Sequence, residues 1–286
     1  MTHLEEAKSE NISKGSPDNT KPQILIVIVH GLYMPWIDIL RRGQLQTWLR
    51  DCIDERVIHA HAIPVWNWVR KVDEYFYFLN WHKWTWLQRT SKILQICFKI
   101  PILFWKPSVI FHSNRLADLE AWQIQMPDLS ILGPHKTRSI LEASLQVDWD
   151  FVLLTTSSSY INIQKLRSSV QSFPKCGLAA GRVLDTPHGK FVGGCFRIFS
   201  RDLIEIYFNT NGVYPHFQVE DRAIFTFLRK TDILYRDLNS IDLYSNKVLV
   251  ELANERLHGI THFRCKSGSL DNRDDVETMH NLRKKF

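Results

Sequence analysis

Gln23-Ile24-Leu25-Ile26-Val27-Ile28-Val29 is a continuous run, aliphatic from Ile24 onward and mostly β-branched, that begins after Pro22 and stops at His30-Gly31. A strand with one wet face alternates apolar and polar residues, whereas an unbroken run needs cover on both faces. It therefore reads as a fully buried parallel strand. Helices have to supply that cover, so the run points to an α/β fold, a Rossmann-type mixed sheet flanked by helices. A chain of 286 residues is long enough to bury such a core in one large domain. We read residues 23-286 as that domain, carrying an insertion at 65-112. Residues 1-22 have almost no large apolar side chains and read as a disordered tail, because they cannot repay the entropy of ordering.

Apolar residues at Ile37, Leu40, Leu45, Trp48, Leu49 and Ile53 give the stretch from Pro35 to Asp54 a helical spacing. Val57 to Pro64 reads as a second strand, with His59 and His61 as strand-face residues rather than ligands. The composition then shifts, and Trp66, Trp68, Trp81, Trp84, Trp86 and Trp105 lie among Lys71, Lys83, Arg89, Lys92, Lys99 and Lys106. Lys99, Pro101, Lys106 and Pro107 interrupt the apolar part well short of the roughly 20 residues a spanning helix needs. The insertion is either helical and packed on the core, or an interfacial element whose rings and cations suit a peripheral contact with anionic lipid.

Further along, Leu129 to Leu132 reads as a short strand and His135 to Gln146 as an amphipathic helix. Asp150 to Leu154 is another strand, and Ile163 to Phe173 a helix. Strands at Gly177 to Val183 and Phe191 to Phe199 follow, then helices from Arg201 to Phe208 and Glu220 to Leu228. The strand at Asp150 ends in Thr155-Thr156-Ser157-Ser158-Ser159, small polar groups at a sheet's carboxyl edge, where open α/β folds bind their ligands.

Five scattered cysteines without a Cys-x-x-Cys pair predict reduced thiols rather than a zinc or redox site. The formal charge of +6 permits an anionic partner. No basic stripe or recognisable module points to nucleic acid. The N-terminal residues lack the pattern of a secretory signal, so the expected location is cytoplasmic, with contact at a membrane surface left open.

Four motifs stand in order: His135-Lys136-Thr137 before a helix, Asp150 to Asn162, Phe191 to Leu203 (FVGGCFRIFSRDL) and Val219-Glu220-Asp221-Arg222. This series resembles the GT-A glycosyltransferases of the fringe and β-1,3-galactosyltransferase kind. There a Lys-Thr helix precedes an Asp-Asp-Asp strand end, followed by a Gly-Gly … Ser-Arg-Asp segment and then Glu-Asp-Val. The element from Arg42 to Trp48 (RGQLQTW) is similar to that family's early Arg/Thr-Trp region. The likeness spans about residues 23 to 230 and is best over 135 to 228.

The resemblance implies an inverting hexosyl- or pentosyltransferase that moves a sugar from a nucleotide-diphosphate donor to a saccharide or lipid-linked saccharide, as in polysaccharide biosynthesis. It assigns Asp221, with Glu220 in reserve, as the base that deprotonates the acceptor hydroxyl. Two carboxylates at a helix start also fit simple complementation of the helix dipole. Gly193 and Gly194 would let backbone approach the acceptor or sugar, or mark a strand irregularity. His30, Gly31, Lys136, Thr156, Ser157, Ser158 and Ser159 fall on the donor side.

The family's divalent cation, such as Mn2+, is held by acidic residues where this chain has Ser157-Ser158-Ser159. Hydroxyls are poor substitutes for carboxylates on a hard cation, so the expectation is catalysis without a metal or other cofactor. Cations of the protein must then meet the leaving diphosphate. His262, Arg264 and Lys266 alternate in Thr261 to Ser267, which predicts one face of an extended strand. That stretch also reads as a solvated basic edge. Two other readings remain: a non-catalytic glycan- or membrane-binding relative, or a hydrolase suggested by Val29-His30-Gly31 and the serines. The hydrolase reading lacks a Gly-x-Ser-x-Gly elbow.

Overall fold

The computed structural model describes residues 21–64, 66, 109–116, 119–128, 133–187, 189–210, 220–228, 231–244, 249, 257–266 and 273–286. The tail up to residue 20, the short strand expected at 129–132 and nearly all of the insertion at 65–112 lie outside the described residues.

The first strand, β1 (Ile24–His30), is buried on both faces as its composition requires. Ile24, Ile26 and Ile28 enter one core cluster, Leu25 and Val27 the other. β1 pairs in parallel with β2 (Arg56–Ile63) on one side and with β5 (Phe151–Thr156) on the other. β2 continues in parallel to β4 (Leu119–Pro127), which pairs antiparallel with β3 (Val109–Leu116) at the edge. Beyond β5 come β8 (Gly189–Ser200) and β7 (Leu178–Thr186), both antiparallel to their predecessors, and then β9 (Leu234–Asp237), parallel to β7. The result is a mixed eight-stranded sheet in the order β3-β4-β2-β1-β5-β8-β7-β9. Helices flank it, as expected of a Rossmann-type α/β fold. They include α2 (Gly133–Ser144), α3 (Ile163–Gln171), α4 (Arg201–Asn209), α5 (Glu220–Phe227) and α6 (Asp275–Arg283).

A second sheet of three strands runs β10 (Ser240–Leu243), β11 (His262–Cys265), β6 (Ser159–Ile161). It packs its Phe263 and Cys265 face into the core that holds Ile24 and Ile26. Its other face carries Ser159, Ser240, His262 and Arg264, because residues paired across strands share a side.

Two expectations need correction. The single helix foreseen over Pro35 to Asp54 is broken into a short α1 (Trp36–Asp38), a π-helical stretch (Ile39–Gln44) and a 3-10 turn (Trp48–Asp51). Long-range hydrogen bonds override the regular spiral here. Gln44 Nε2 donates to the carbonyls of Thr156 and Ser159 at 3.0 and 3.1 Å, and Trp48 Nε1 donates to Ser159 at 2.9 Å. Residues 109–112 belong not to a helical insertion but to β3, where Val109, Ile110 and Phe111 form a run suited to strand pairing. Among the described residues no helix is long and apolar enough to cross a membrane.

Candidate functional site

β1 and β5 end side by side, with Val29 opposite Thr156, so His30-Gly31 and Ser157 leave the sheet next to each other at its carboxyl edge. After β5 the chain turns through Ser157 and Ser158 and enters β6 at Ser159. The turn is held by its main chain. Ser158 O accepts from Cys265 N at 2.7 Å, while Gln44 and Trp48 hold Ser159 O. All three serines are buried.

β8 runs antiparallel to β5, and the last pair is Phe196 with Thr155. Gly193, Gly194 and Cys195 therefore lie beyond the end of β5, over the crevice. Gly194 has φ +85°, a conformation that glycine adopts without the strain a side chain would bring. Its N–H donates to Asp221 Oδ2 at 3.0 Å. The other carboxylate oxygen, Oδ1, accepts from Arg222 N at 3.1 Å at the start of α5. A Cβ on Gly193 would stand 3.3 Å from Asp221 Oδ2, so the glycine pair gives the carboxylate its place. Glu220 opens the same helix.

One residue on from Gly194, Cys195 Sγ lies 3.8 Å from both Ser159 Oγ and His262 Nε2. Ser159 Oγ is 3.0 Å from His262 Nε2, and Ser240 Oγ is 2.6 Å from Nδ1 of the same ring. The imidazole stacks on Phe196 at 4.7 Å and 8°. Burial, with the nearby Arg264 charge adding to it, pushes the His262 pKa down to about 3, so the ring is neutral. His262 was expected as a cation or phosphate contact; both its nitrogens are already engaged inside the protein. It anchors the small sheet to the serine turn instead. Ser159 and His262 do not make a hydrolase pair either, since Nδ1 faces a hydroxyl rather than a carboxylate and the serine is buried.

Arg264 is half-buried on the same face as His262, in register with Ser159 on one side and Asp242 on the other. The Asp242 carboxylate reaches Arg182 at 3.4 Å instead, and among the described residues no ion pair engages Arg264. Lys266 is exposed and follows the last residue of β11, so it does not extend the predicted face.

On the β1 side, His30 is buried and its Nδ1 donates to Gly31 O at 3.0 Å. Its ring lies 5.2 Å from His59 and 5.9 Å from His61. Burial first, and then the neighbouring histidines, push His59 down to about 3. At Gly31 a Cβ would come within 2.5 Å of the Tyr33 ring and 3.0 Å of Asp128 Oδ2, so the close approach requires glycine. Lys136, on α2, pairs with Asp128 Oδ1 at 2.8 Å. Thr156 Oγ1 stands 3.5 Å from Ser159 Oγ and connects the two sides.

The structure thus brings Ser159, Gly194 and Asp221 together through Cys195 and places Arg264 beside them, with His30, Gly31 and Lys136 along the same edge. Several members gave no sequence signal: Ser240, Asp128 and Arg273, which bonds Ser158, while Cys195 lies within the Phe191 to Leu203 motif but was not singled out. Gln44 and Trp48 lie within the Arg42 to Trp48 element, but nothing in that element announced their partners. The group present at the serine turn does not fit a divalent cation. Its donors are hydroxyls and a neutral imidazole bonded to one another. Among the described residues no set of three His, Cys, Asp or Glu side chains is placed to hold a metal ion.

No family model matches the sequence, and no curated protein matches it. Among solved structures the chain is similar to the mannosyltransferase PcManGT from Pyrobaculum calidifontis, in complex with GDP-Man and Mn2+. The TM-score is 0.38 at 13% identity, over 76% of this chain and 55% of that one. The chain spans little more than half the length of that enzyme.

Proposed function

We propose that this chain is an inverting GT-A-type glycosyltransferase that uses a nucleotide-diphosphate sugar and works without a divalent metal. The observation that carries this reading is the meeting of four sequence-remote segments. Ser159, Gly193 to Cys195, Asp221 and the His262 to Arg264 strand converge where the carboxyl ends of β1 and β5 open. Asp221 is the base that removes the acceptor hydroxyl's proton as that oxygen attacks the anomeric carbon. The N–H groups of Gly194 and Arg222 fix its carboxylate while leaving lone pairs for the acceptor. Glu220 stands in reserve beside it.

Arg264 meets the departing diphosphate, since its guanidinium is half-buried, free of an ion pair among the described residues and next to the serine turn. His30, Gly31, Lys136, Thr156 and the serines border the nucleotide. The acceptor is a saccharide or a lipid-linked saccharide. The metal-free part of the reading rests on the donor set at the serine turn, where among the described residues no carboxylate joins the hydroxyls and imidazole.

A thermal-shift screen in EDTA with UDP, GDP, ADP, CDP and dTDP tests the reading. A bound ligand raises apparent stability by mass action. At least one nucleoside diphosphate is expected to stabilise the protein, and failure of all five would overturn the proposal. Calorimetric binding of one of them, with no transfer to any saccharide acceptor, would favour a non-catalytic relative.

A further inference from the structure

We propose that Arg273 acts through the Ser158 hydroxyl, turning it into a charge-assisted hydrogen-bond donor for a diphosphate oxygen at the serine turn. The inference rests on the transferase reading above and names a positioning residue for that site. Arg273 lies just before α6, far from the serines in sequence. Its Nη2 donates to Ser158 Oγ at 2.9 Å, and Nε and Nη2 engage the two oxygens of Asp275 at 3.0 and 2.5 Å. The face of the guanidinium lies over the Trp36 ring, 4.6 Å from its centroid. The two side chains are 7% and 0% exposed, so water screens their attraction little.

Taking this ion pair out of water costs several kcal/mol, and the bidentate contact with Asp275 already meets its geometric needs. The additional bond to Ser158 uses the second N–H of Nη2. Trp36 covers one face of the guanidinium, and Nη2 is engaged by Asp275 and Ser158. Ser158 belongs to the turn at the carboxyl edge of the sheet, held by Cys265, Gln44 and Trp48. Its oxygen accepts from a cation, which leaves its own proton to be donated. Among the described residues no acceptor takes that proton. A hydroxyl polarised in this way is a stronger and better-aimed donor than an isolated serine. It suits an anionic oxygen at a turn that has no carboxylate to hold a metal.

The test is calorimetric binding of UDP, GDP and inorganic pyrophosphate in EDTA to wild type, S158A, S158T, R273K and S158A/R273K. S158A should bind about tenfold more weakly with little change in Tm, the size expected for one hydrogen bond to a charged group. S158T keeps the hydroxyl and should restore binding. R273K should weaken binding in the wild-type background and add nothing in the S158A background, because both act along one path. A purely structural Arg273 predicts the opposite: a lowered Tm for R273K and unchanged pyrophosphate affinity for S158A. That result, or full additivity of the two substitutions, overturns the inference while leaving the transferase reading standing. A wild-type protein that binds none of the three probes overturns the inference, and the transferase reading falls with it only if ADP, CDP and dTDP fail to bind as well.

Discussion

Ser159 Oγ and His262 Nε2 lie 3.0 Å apart inside the protein, and Ser240 holds the far side of the same ring at 2.6 Å. This places a neutral hydroxyl–imidazole–hydroxyl chain where the resemblance would put an acidic residue and a metal. The chain ties β6, β10 and β11 into one small sheet and fixes the end of the serine turn. Beside the serine turn the positive charge therefore comes from two arginines, Arg264 on the open face and Arg273 behind Ser158.

His262 and His59 are buried with pKa values pushed down to about 3, against 6.5 in an unfolded chain. Between those values the unfolded state binds protons that the native state does not. Stability is then full above pH 6.5 and lost as pH falls toward 3, by about 1.4 kcal/mol per unit for each ring. Urea midpoints measured from pH 7.5 to 5 should fall by the equivalent of about 2 kcal/mol per histidine. A flat profile over that range would show that these rings are charged or exposed in the native protein.

Two glycines separate strain from crowding. At Gly194 (φ +85°) a Cβ would meet nothing within 4 Å, whereas at Gly181 (φ +142°) it would stand 2.4 Å from Phe196 O. Gly194→Ala should cost about 1–2 kcal/mol from backbone strain alone. Gly181→Ala should cost more than about 3 kcal/mol, since a backbone atom rather than a pliable side chain must move. Thermal denaturation of the two variants checks the order, and equal losses would contradict it.

Arg264 and Lys266 were indistinguishable as neighbouring cations in the sequence. The structure separates a half-buried guanidinium in register with Ser159 from an exposed ammonium beyond the strand. R264A should weaken nucleoside diphosphate binding at least about tenfold, and K266A should leave it within about twofold, as expected for losing a partly desolvated contact against a screened surface charge. Titration calorimetry at two salt concentrations reads both effects.

Most of the main sheet was legible because local signals and tertiary environment agreed. The run from Ile24 to Val29 could only be a two-sided strand, and Asn162 caps α3 through its Oδ1 to Lys165 N at 3.1 Å. Of the small sheet only β11 was legible, from the alternation of His262 and Arg264. Its strands are three or four residues long, and β6 exists because β11, about a hundred residues later, pairs with it. The break in the helix after β1 follows from Gln44 and Trp48 reaching the carbonyls of the serine turn, a long-range demand that periodicity cannot report. In the same way the alternation of His262 and Arg264 showed a shared face, yet only packing against Phe196 and Ser240 made one of them a neutral anchor.

In the transferase reading Asp221 is the base and no metal takes part. The most direct test is release of nucleoside diphosphate from a sugar nucleotide in the presence of acceptor and excess EDTA, for wild type and Asp221→Asn. Wild-type turnover should be unchanged by EDTA. The variant, which keeps an oxygen for Gly194 N, should stay folded and still bind the nucleoside diphosphate while losing at least about a hundredfold in rate. Turnover abolished by EDTA and restored by Mn2+, or a variant as active as wild type, would contradict the account.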